Sequence, residues 1–480
     1  MTCKILLINV NDVWLAQDGE QDADVLTPPI GLMYLSSFLR KHLPGKVDVK
    51  ILDNVNDLRN ESKLVEYLNE YKPSVVGLRG LHPYRELFNS FSATIRKNNS
   101  DCLLIGGGPY IASDPDWGLS TSQCDITVYG EGEEIFCEII RRYLKGENIY
   151  GIARTAYKKD EKVHINGASC GFLDVDKIPL PDYDAIRLSD YKSYLSYAYN
   201  KRLQGVLLTS RGCSYRCSFC HNNFGKVFRG RSPSNVLVEM KYLFSKGVRD
   251  FYILDDNFNF DLPRAKTILK MVKEQFGESC INIYFVNGLD SNNIDSEFFD
   301  LMEKAGCIYV GFAIETVSPS LLKVIRKNIN IEKVRDCIIE SDRRGMIVNY
   351  WGMIGIPGET VEEAKALVDF MTSLPYSSVP MLFRLNPYPG TDISELFDMS
   401  GKEMNNYQNF VGLIRKQPDY MPLLEQWENH VLSEDRLTKV TKRLVGNGYT
   451  QDDIMSMYAL LYRSLDENEV FQYYQSAVKG

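Results

Sequence analysis

Three of the eleven cysteines stand within eight residues, at Cys213, Cys217 and Cys220. Thiolates are soft ligands, so three in one short loop are first a metal-site candidate. Structural zinc closes with four ligands, usually as two separated pairs, and the sequence offers no second pair. An iron–sulfur cubane ordinarily takes four cysteines. A trio would leave one iron without a protein ligand, and an open coordination position is what a catalytic centre needs. The other eight (Cys3, Cys102, Cys124, Cys137, Cys170, Cys280, Cys307 and Cys337) occur singly, as small buried hydrophobes do in a reducing compartment.

Other residues that could do chemistry lie where short apolar runs end. Asp255, Asp256 and Asn257 follow FYIL, and either cap a helix or meet a ligand. Glu315 closes the apolar run IYVGFAI, where a carboxylate is costly unless paired. Gly355 and Pro357 form a turn after MIVNYWGMI, and Asn386 to Thr391 form another. Two glycine loops, Gly106-Gly107-Gly108-Pro109 and Gly130-Glu131-Gly132-Glu133, let a ligand approach the backbone or simply make tight turns. His82, before a proline, reads as a polar turn residue, and His221 as loop packing beside the cysteines or a proton donor.

These residues need a scaffold. Apolar runs at 4–10, 47–53, 74–80, 102–108 and 126–130 alternate with helical patterns. Leu32, Leu35, Phe38 and Leu39 follow Pro29 at helical spacing, and Leu87, Phe88, Phe91 and Ile95 follow Pro83. That alternation predicts a doubly wound parallel sheet over 1–150, with ligand loops at its carboxyl edge. The polar, Tyr-rich stretch 151–200 reads as a linker. A second alternation over 201–395, with strands near 205, 251, 281, 308, 346 and 380, suits a partial (β/α)6 barrel. One of its helices reads as capped by Ser234 and ended by Gly247. Beyond residue 396 the patterns suit a small helical region, with Ser433 and Thr450 as N-caps. It is expected to flank the barrel mouth, where Tyr458, Tyr462 and Tyr473 line a substrate site or pack.

The 480 residues carry 63 acidic against 55 basic side chains, a net charge of −8. That acidity argues against bulk binding to nucleic acid or anionic membranes. Apolar runs fall well short of the roughly 20 residues of a membrane span. MTCKILLINV reads as a core strand rather than a signal peptide, so the expected compartment is the cytoplasm.

The loop Arg211-Gly212-Cys213-Ser214-Tyr215-Arg216-Cys217-Ser218-Phe219-Cys220 resembles the cluster signature of the radical S-adenosylmethionine (radical SAM) superfamily. The resemblance implies that Cys213, Cys217 and Cys220 hold a [4Fe–4S] cluster. SAM would chelate its unique iron and be cleaved reductively to a 5′-deoxyadenosyl radical. It further implies SAM contacts from Phe219, Asp255, Asp256, Asn257, Glu315, Gly355 and Pro357, and an external electron donor of flavodoxin or ferredoxin type. Pro29 and Gly31, Gly106 to Gly108, and Tyr129-Gly130-Glu131 are similar to the cobalamin-binding domain of one subfamily. In the wider family of such domains an Asp-x-His-x-x-Gly loop gives a His to cobalt. Here Asn11-Asp12-Val13-Trp14-Leu15-Ala16-Gln17 would put Trp14 in its place, and an indole N–H cannot ligate. The resemblance therefore implies cobalamin bound without a protein ligand, and a methyltransferase acting at an unactivated carbon or phosphorus of a small molecule or peptide. Radical cyclisation, rearrangement or oxidation is the second reading; a non-catalytic electron-transfer or zinc protein is the third.

Overall fold

In a computed structural model, two seven-stranded sheets stand in sequence. The structure describes residues 2–11, 27–53, 57–58, 60–160, 162–167, 171–195, 198–221, 224–277, 280–375, 381–396, 422–423, 434–451 and 454. Trp14, Cys170, Ser433 and the tyrosines beyond 454 lie outside them.

The first sheet holds β1 (Cys3–Val10), β2 (Val47–Asp53), β3 (Val75–Gly80), β4 (Leu103–Gly107) and β5 (Ile126–Val128), all parallel in the order 2-1-3-4-5. Alternate residues of β1 feed two cores. Ile5 and Leu7 pack with α1 (Ile30–His42) and α6 (Glu133–Lys145). Leu6, Ile8 and Val10 pack with α2 (Glu61–Tyr71), α3 (Arg85–Asn98) and α5 (Pro115–Thr121), which follows the short α4 (Pro109–Ser113). A sheet buried on both faces needs such near-continuous apolar strands. The order turns about β1 and β3, and the crevice beyond the carboxyl ends there is the ligand position of open α/β sheets.

Part of the stretch read as a linker belongs to this sheet. Strands β6 (Thr155–Lys159) and β7 (Lys162–Ile165) form an antiparallel hairpin on β5. Its lysines and exposed side chains carry little apolar signal, so the pattern hid it.

The second sheet runs 16-15-14-13-12-9-8. Strand β8 (Lys192–Leu195) is antiparallel to β9 (Ala198–Leu207), and β9 is followed by parallel β12 (Asp250–Ile253), β13 (Asn282–Phe285), β14 (Cys307–Glu315), β15 (Ile347–Ile354) and β16 (Met381–Arg384). Six parallel strands in an open row make the partial barrel. Helices α7 (Pro233–Ser245), α8 (Leu262–Phe276), α9 (Ser296–Lys304), α10 (Pro319–Val324), α11 (Ile331–Arg343) and α12 (Val361–Thr372) connect them. The cap of α7 is Ser232 rather than Ser234, its side chain accepting from Asn235 N, with Pro233 in the first turn. A two-pair antiparallel ladder, β10 (Ser210–Arg211) with β11 (Arg229–Gly230), forms the neck of loop 212–228, which carries the three cysteines.

Helix α13 (Glu434–Gly446) lies at the amino ends of the barrel strands, not at the mouth. Arg443 donates to Asp342 Oδ1 at 2.8 Å ahead of β15, and the Tyr449 and Tyr284 hydroxyls meet at 3.3 Å. The described part of the C-terminal region thus closes the end remote from the cysteines. Among the described residues, no helix is long and apolar enough to cross a membrane.

Candidate active site

Loop 212–228 follows the first parallel barrel strand, and its neck is tightly built. Gly212 has φ +80, and a Cβ there would stand 2.3 Å from the Val227 carbonyl oxygen, so the residue before Cys213 must be glycine. Asp255 fixes the strand that enters the loop. Its Oδ1 accepts from Thr209 N at 2.6 Å, and its Oδ2 from the hydroxyls of Thr209 at 2.5 Å and Ser210 at 2.6 Å. These three bonds satisfy a buried carboxylate and brace the strand that enters the loop.

Farther along, Ser218 N donates to Ile325 O at 2.9 Å, Ser218 Oγ to Val324 O at 3.0 Å, and Ile393 N to Ser218 O at 2.8 Å. Phe219 packs with Leu321, Ile325, Met353, Ile356, Leu385 and Ile393, anchoring the loop on the barrel. Gly355 (φ +84) donates its N–H to Glu359 Oε2 in the turn beside them, and Pro357 is half-buried there.

No disulfide joins the three cysteines, and their thiols influence one another's charge. Desolvation raises the pKa of Cys213 and Cys217 and pushes Cys220 up to about 11, although part of that residue is exposed; Lys226 opposes the rise at all three. Metal must therefore displace protons, helped by the positive charges of Lys226 and, at Cys217, Lys327. Among the described residues, no three His, Cys, Asp or Glu side chains converge on a single-ion site. Thiolates on a cubane each bind a different iron, so a cluster does not ask for that convergence.

Three polar groups border this loop. Asp256 has its pKa raised, chiefly by desolvation and the charge of Asp255, against a hydrogen bond with the Gly212 backbone. Asn257 is buried, and its Oδ1 has no hydrogen-bond partner among the described residues, an acceptor left for an outside donor. Glu315 ends β14 with φ +63, and its Oε1 accepts from Lys327 Nζ at 2.9 Å.

Between the two sheets lies a cavity of about 720 Å³. The carboxyl edge of the first sheet supplies Gly31, Gly106, Gly107, Gly108, Gly130 and Glu131 to its lining. A Cβ on Gly31 would meet nothing within 4 Å, whereas at Gly108 (φ +86) it would strike the Gly80 carbonyl at 2.7 Å. The barrel supplies Leu254, Val286, Asn287, Tyr309, Asn349 and Trp351. A volume of this size, mostly apolar with a few polar groups, fits a large organic cofactor, and the glycine edge leaves it room. Two of the expected cavity residues stand elsewhere. Pro29 caps α1, while Tyr129 donates its hydroxyl to Asn166 O and so holds the β6–β7 hairpin. No histidine lines the cavity among the described residues. His82 instead is buried, with its Nε2 2.8 Å from Ser113 Oγ and its ring 4.9 Å from that of Tyr388.

Arg79, Arg229, Lys327 and Trp351, which the sequence reading did not single out, and a pairing among named residues that it did not foresee complete the site. Arg79 lines the cavity from β3 and donates to Asn9 Oδ1 at 2.7 Å. Arg211, Arg229, Glu131 and Glu133 form a buried ion cluster between the two sheets. Lys327 sits beside Glu315, and Trp351 lies over Gly311. Their partners are distant in sequence, so spacing carried no signal for them, apart from a tryptophan within a core strand.

A family model described as the radical SAM superfamily matches residues 207–371, and one described as the B12 binding domain matches 22–140. The uncharacterized methyltransferase PH0819 of Pyrococcus horikoshii is 30% identical over 77% of this chain and 78% of its own. Cytidylyl-2-hydroxyethylphosphonate methyltransferase of Streptomyces wedmorensis is 26% identical over 81% of this chain and 80% of its own. Among solved structures, the radical SAM methyltransferase TsrM of Kitasatospora setae, with cobalamin and a [4Fe–4S] cluster bound, superposes with a TM-score of 0.67. It is 22% identical and covers 82% of this chain and 74% of its own, a likeness of fold.

Proposed function

The chain belongs to the radical SAM enzymes that carry a cobalamin-binding domain, and from that premise we propose that it is a cobalamin-dependent methyltransferase. The observation that carries the proposal is the interdomain cavity: glycine loops of one sheet face the carboxyl ends of the other within reach of the cysteine loop. When bound, the cluster, SAM and cobalamin supply one-electron cleavage of a sulfonium C–S bond and delivery of a methyl group to an unactivated carbon or phosphorus.

The chain's own residues prepare that chemistry. Cys213, Cys217 and Cys220 would hold the cluster, leaving its fourth iron for SAM. Asn257 Oδ1, buried with no partner among the described residues, would accept from the SAM amine, and Glu315, steadied by Lys327, would meet SAM as well. Asp256 stands at the same loop, and Phe219, Gly355 and Pro357 shape the wall behind it. Gly31, Gly106 to Gly108 and Gly130 would leave space for the corrin, and among the described residues the cavity lining offers no imidazole. On the barrel side, Tyr309, Asn349 and Trp351 present amide, phenol and indole without a formal charge, which suits a neutral portion of a small-molecule substrate. Arg216 and Lys226 are exposed on the cysteine loop, a basic rim suited to an acidic electron donor. The described cysteines form no disulfide, which suits a reducing, cytoplasmic setting.

Reconstituted anaerobically and given SAM, hydroxocobalamin, reductant and substrate candidates, the enzyme is expected to form both 5′-deoxyadenosine and S-adenosylhomocysteine. Formation of 5′-deoxyadenosine alone would argue for radical chemistry without methyl transfer.

A further inference from the structure

Arg211 and Arg229 face each other across the two-pair ladder that closes the neck of the cysteine loop. Both guanidiniums leave their own domain. Arg211 Nη2 donates to Glu133 Oε1 at 2.7 Å, and its Nη1 stands 3.7 Å from Glu131 Oε2. Arg229 donates to both oxygens of Glu131, through Nη1 at 3.1 Å and through Nη2. Arg211 also lies over the Tyr34 and Phe224 rings, at 4.8 and 5.2 Å. Arg211, Glu131 and Glu133 are 4 to 5% exposed, so these charges rely on one another rather than on water. Glu131, Glu133 and Arg211 also line the interdomain cavity. One buried, electroneutral cluster is therefore at once the neck of the cysteine loop and a wall of the cavity. Within it, Arg211 Nη1 is buried with no hydrogen-bond acceptor among the described residues.

We infer that this four-residue clamp couples the two cofactor sites, so that loading the cysteine loop with its cluster strengthens cobalamin binding in the cavity and the reverse. Binding three cysteines to one rigid cluster fixes loop 212–228, hence the register of its two-pair neck, hence the positions of both guanidiniums and of the glutamates they hold. Ordering one partner spares the other that cost, and the coupling must be reciprocal. Glu131, Glu133, Arg211 and Arg229 are positioning residues in this account. The inference rests on the proposal that the cavity takes cobalamin.

The test is an anaerobic absorbance titration with hydroxocobalamin of the full chain, cluster-free and reconstituted with iron and sulfide. The expected result is binding at least about fivefold tighter to the cluster-loaded form. In Glu133→Gln and in the milder Arg229→Lys, that ratio should fall to within about twofold. Glu239→Gln serves as a control, because it breaks the buried Arg231–Glu239 pair, which does not line the cavity, and should keep the ratio. Equal affinities in the two wild-type forms, or an unchanged ratio in the Glu133 variant, would overturn the coupling. The wild-type comparison needs no variant to fold. Absence of cobalamin binding in both forms would instead remove the functional reading beneath it.

Discussion

Lys327 Nζ bonds both Glu315 Oε1 and the Ala313 carbonyl oxygen, each at 2.9 Å, and so pins a carboxylate whose own backbone is left-handed at φ +63. A non-glycine residue held in that region costs on the order of 1 kcal/mol and persists only where its surroundings fix it. Both side chains are largely buried. In Lys327→Met the carboxylate loses its partner and its aim. The KM for SAM should rise about tenfold, the equivalent of roughly 1.4 kcal/mol, with a smaller change in kcat. Steady-state 5′-deoxyadenosine formation reads both constants, and an unchanged KM would detach Glu315 from SAM.

Asp255 offers the opposite expectation. Its oxygens are taken up by Thr209 and Ser210, so Asp255→Asn should act on stability. An amide brings a donor to a site already full of donors, at a cost of about 1–3 kcal/mol. Denaturant unfolding of the cluster-free protein should show that loss while SAM affinity of the reconstituted protein stays within about twofold. A selective loss of SAM affinity would return Asp255 to the ligand.

The indole of Trp351 lies against Gly311, where a Cβ would come within 2.3 Å of the ring. Gly311→Ala should therefore cost about 1–3 kcal/mol by overpacking, or drive the ring into the cavity. Adding Trp351→Ala should recover much of the Gly311→Ala penalty, a coupling that a double-mutant cycle measures. Additive losses would mean that the two residues do not share the space.

His82 carries a pH dependence. Desolvation, with smaller contributions from His221 and Arg85, lowers its pKa to about 3. The unfolded chain, with a pKa near 6.5, takes up the proton first. The contribution of His82 to stability is thus complete above pH 6.5 and is lost as pH falls from there towards 3, by about 1.4 kcal/mol per pH unit. Unfolding free energies of wild type and His82→Gln between pH 7 and 5 should converge as pH falls. Parallel curves would contradict a neutral, buried imidazole.

Much of this architecture was legible in the residue pattern because parallel strands buried on both faces read as apolar runs. The cysteine trio and the glycine loops signalled themselves by type and spacing. What stayed hidden depends on partners far along the chain. The Arg211–Glu133 pair spans 78 residues, and the β6–β7 hairpin is too polar to announce a strand. Asp255 and Asn257 look equivalent in sequence, yet one accepts three hydrogen bonds while the Oδ1 of the other has no partner among the described residues. Only the three-dimensional surroundings tell the two apart.

The central claim is that Cys213, Cys217 and Cys220 bind a cluster with one corner open to SAM. Its most direct measurement is anaerobic 5′-deoxyadenosine formation by reconstituted wild type and Cys217→Ala, alongside iron, sulfide and zinc analysis. Wild type should contain iron and sulfide and cleave SAM, and the variant should form no 5′-deoxyadenosine. Zinc in place of iron in the wild type, or undiminished cleavage by the variant, would contradict the account.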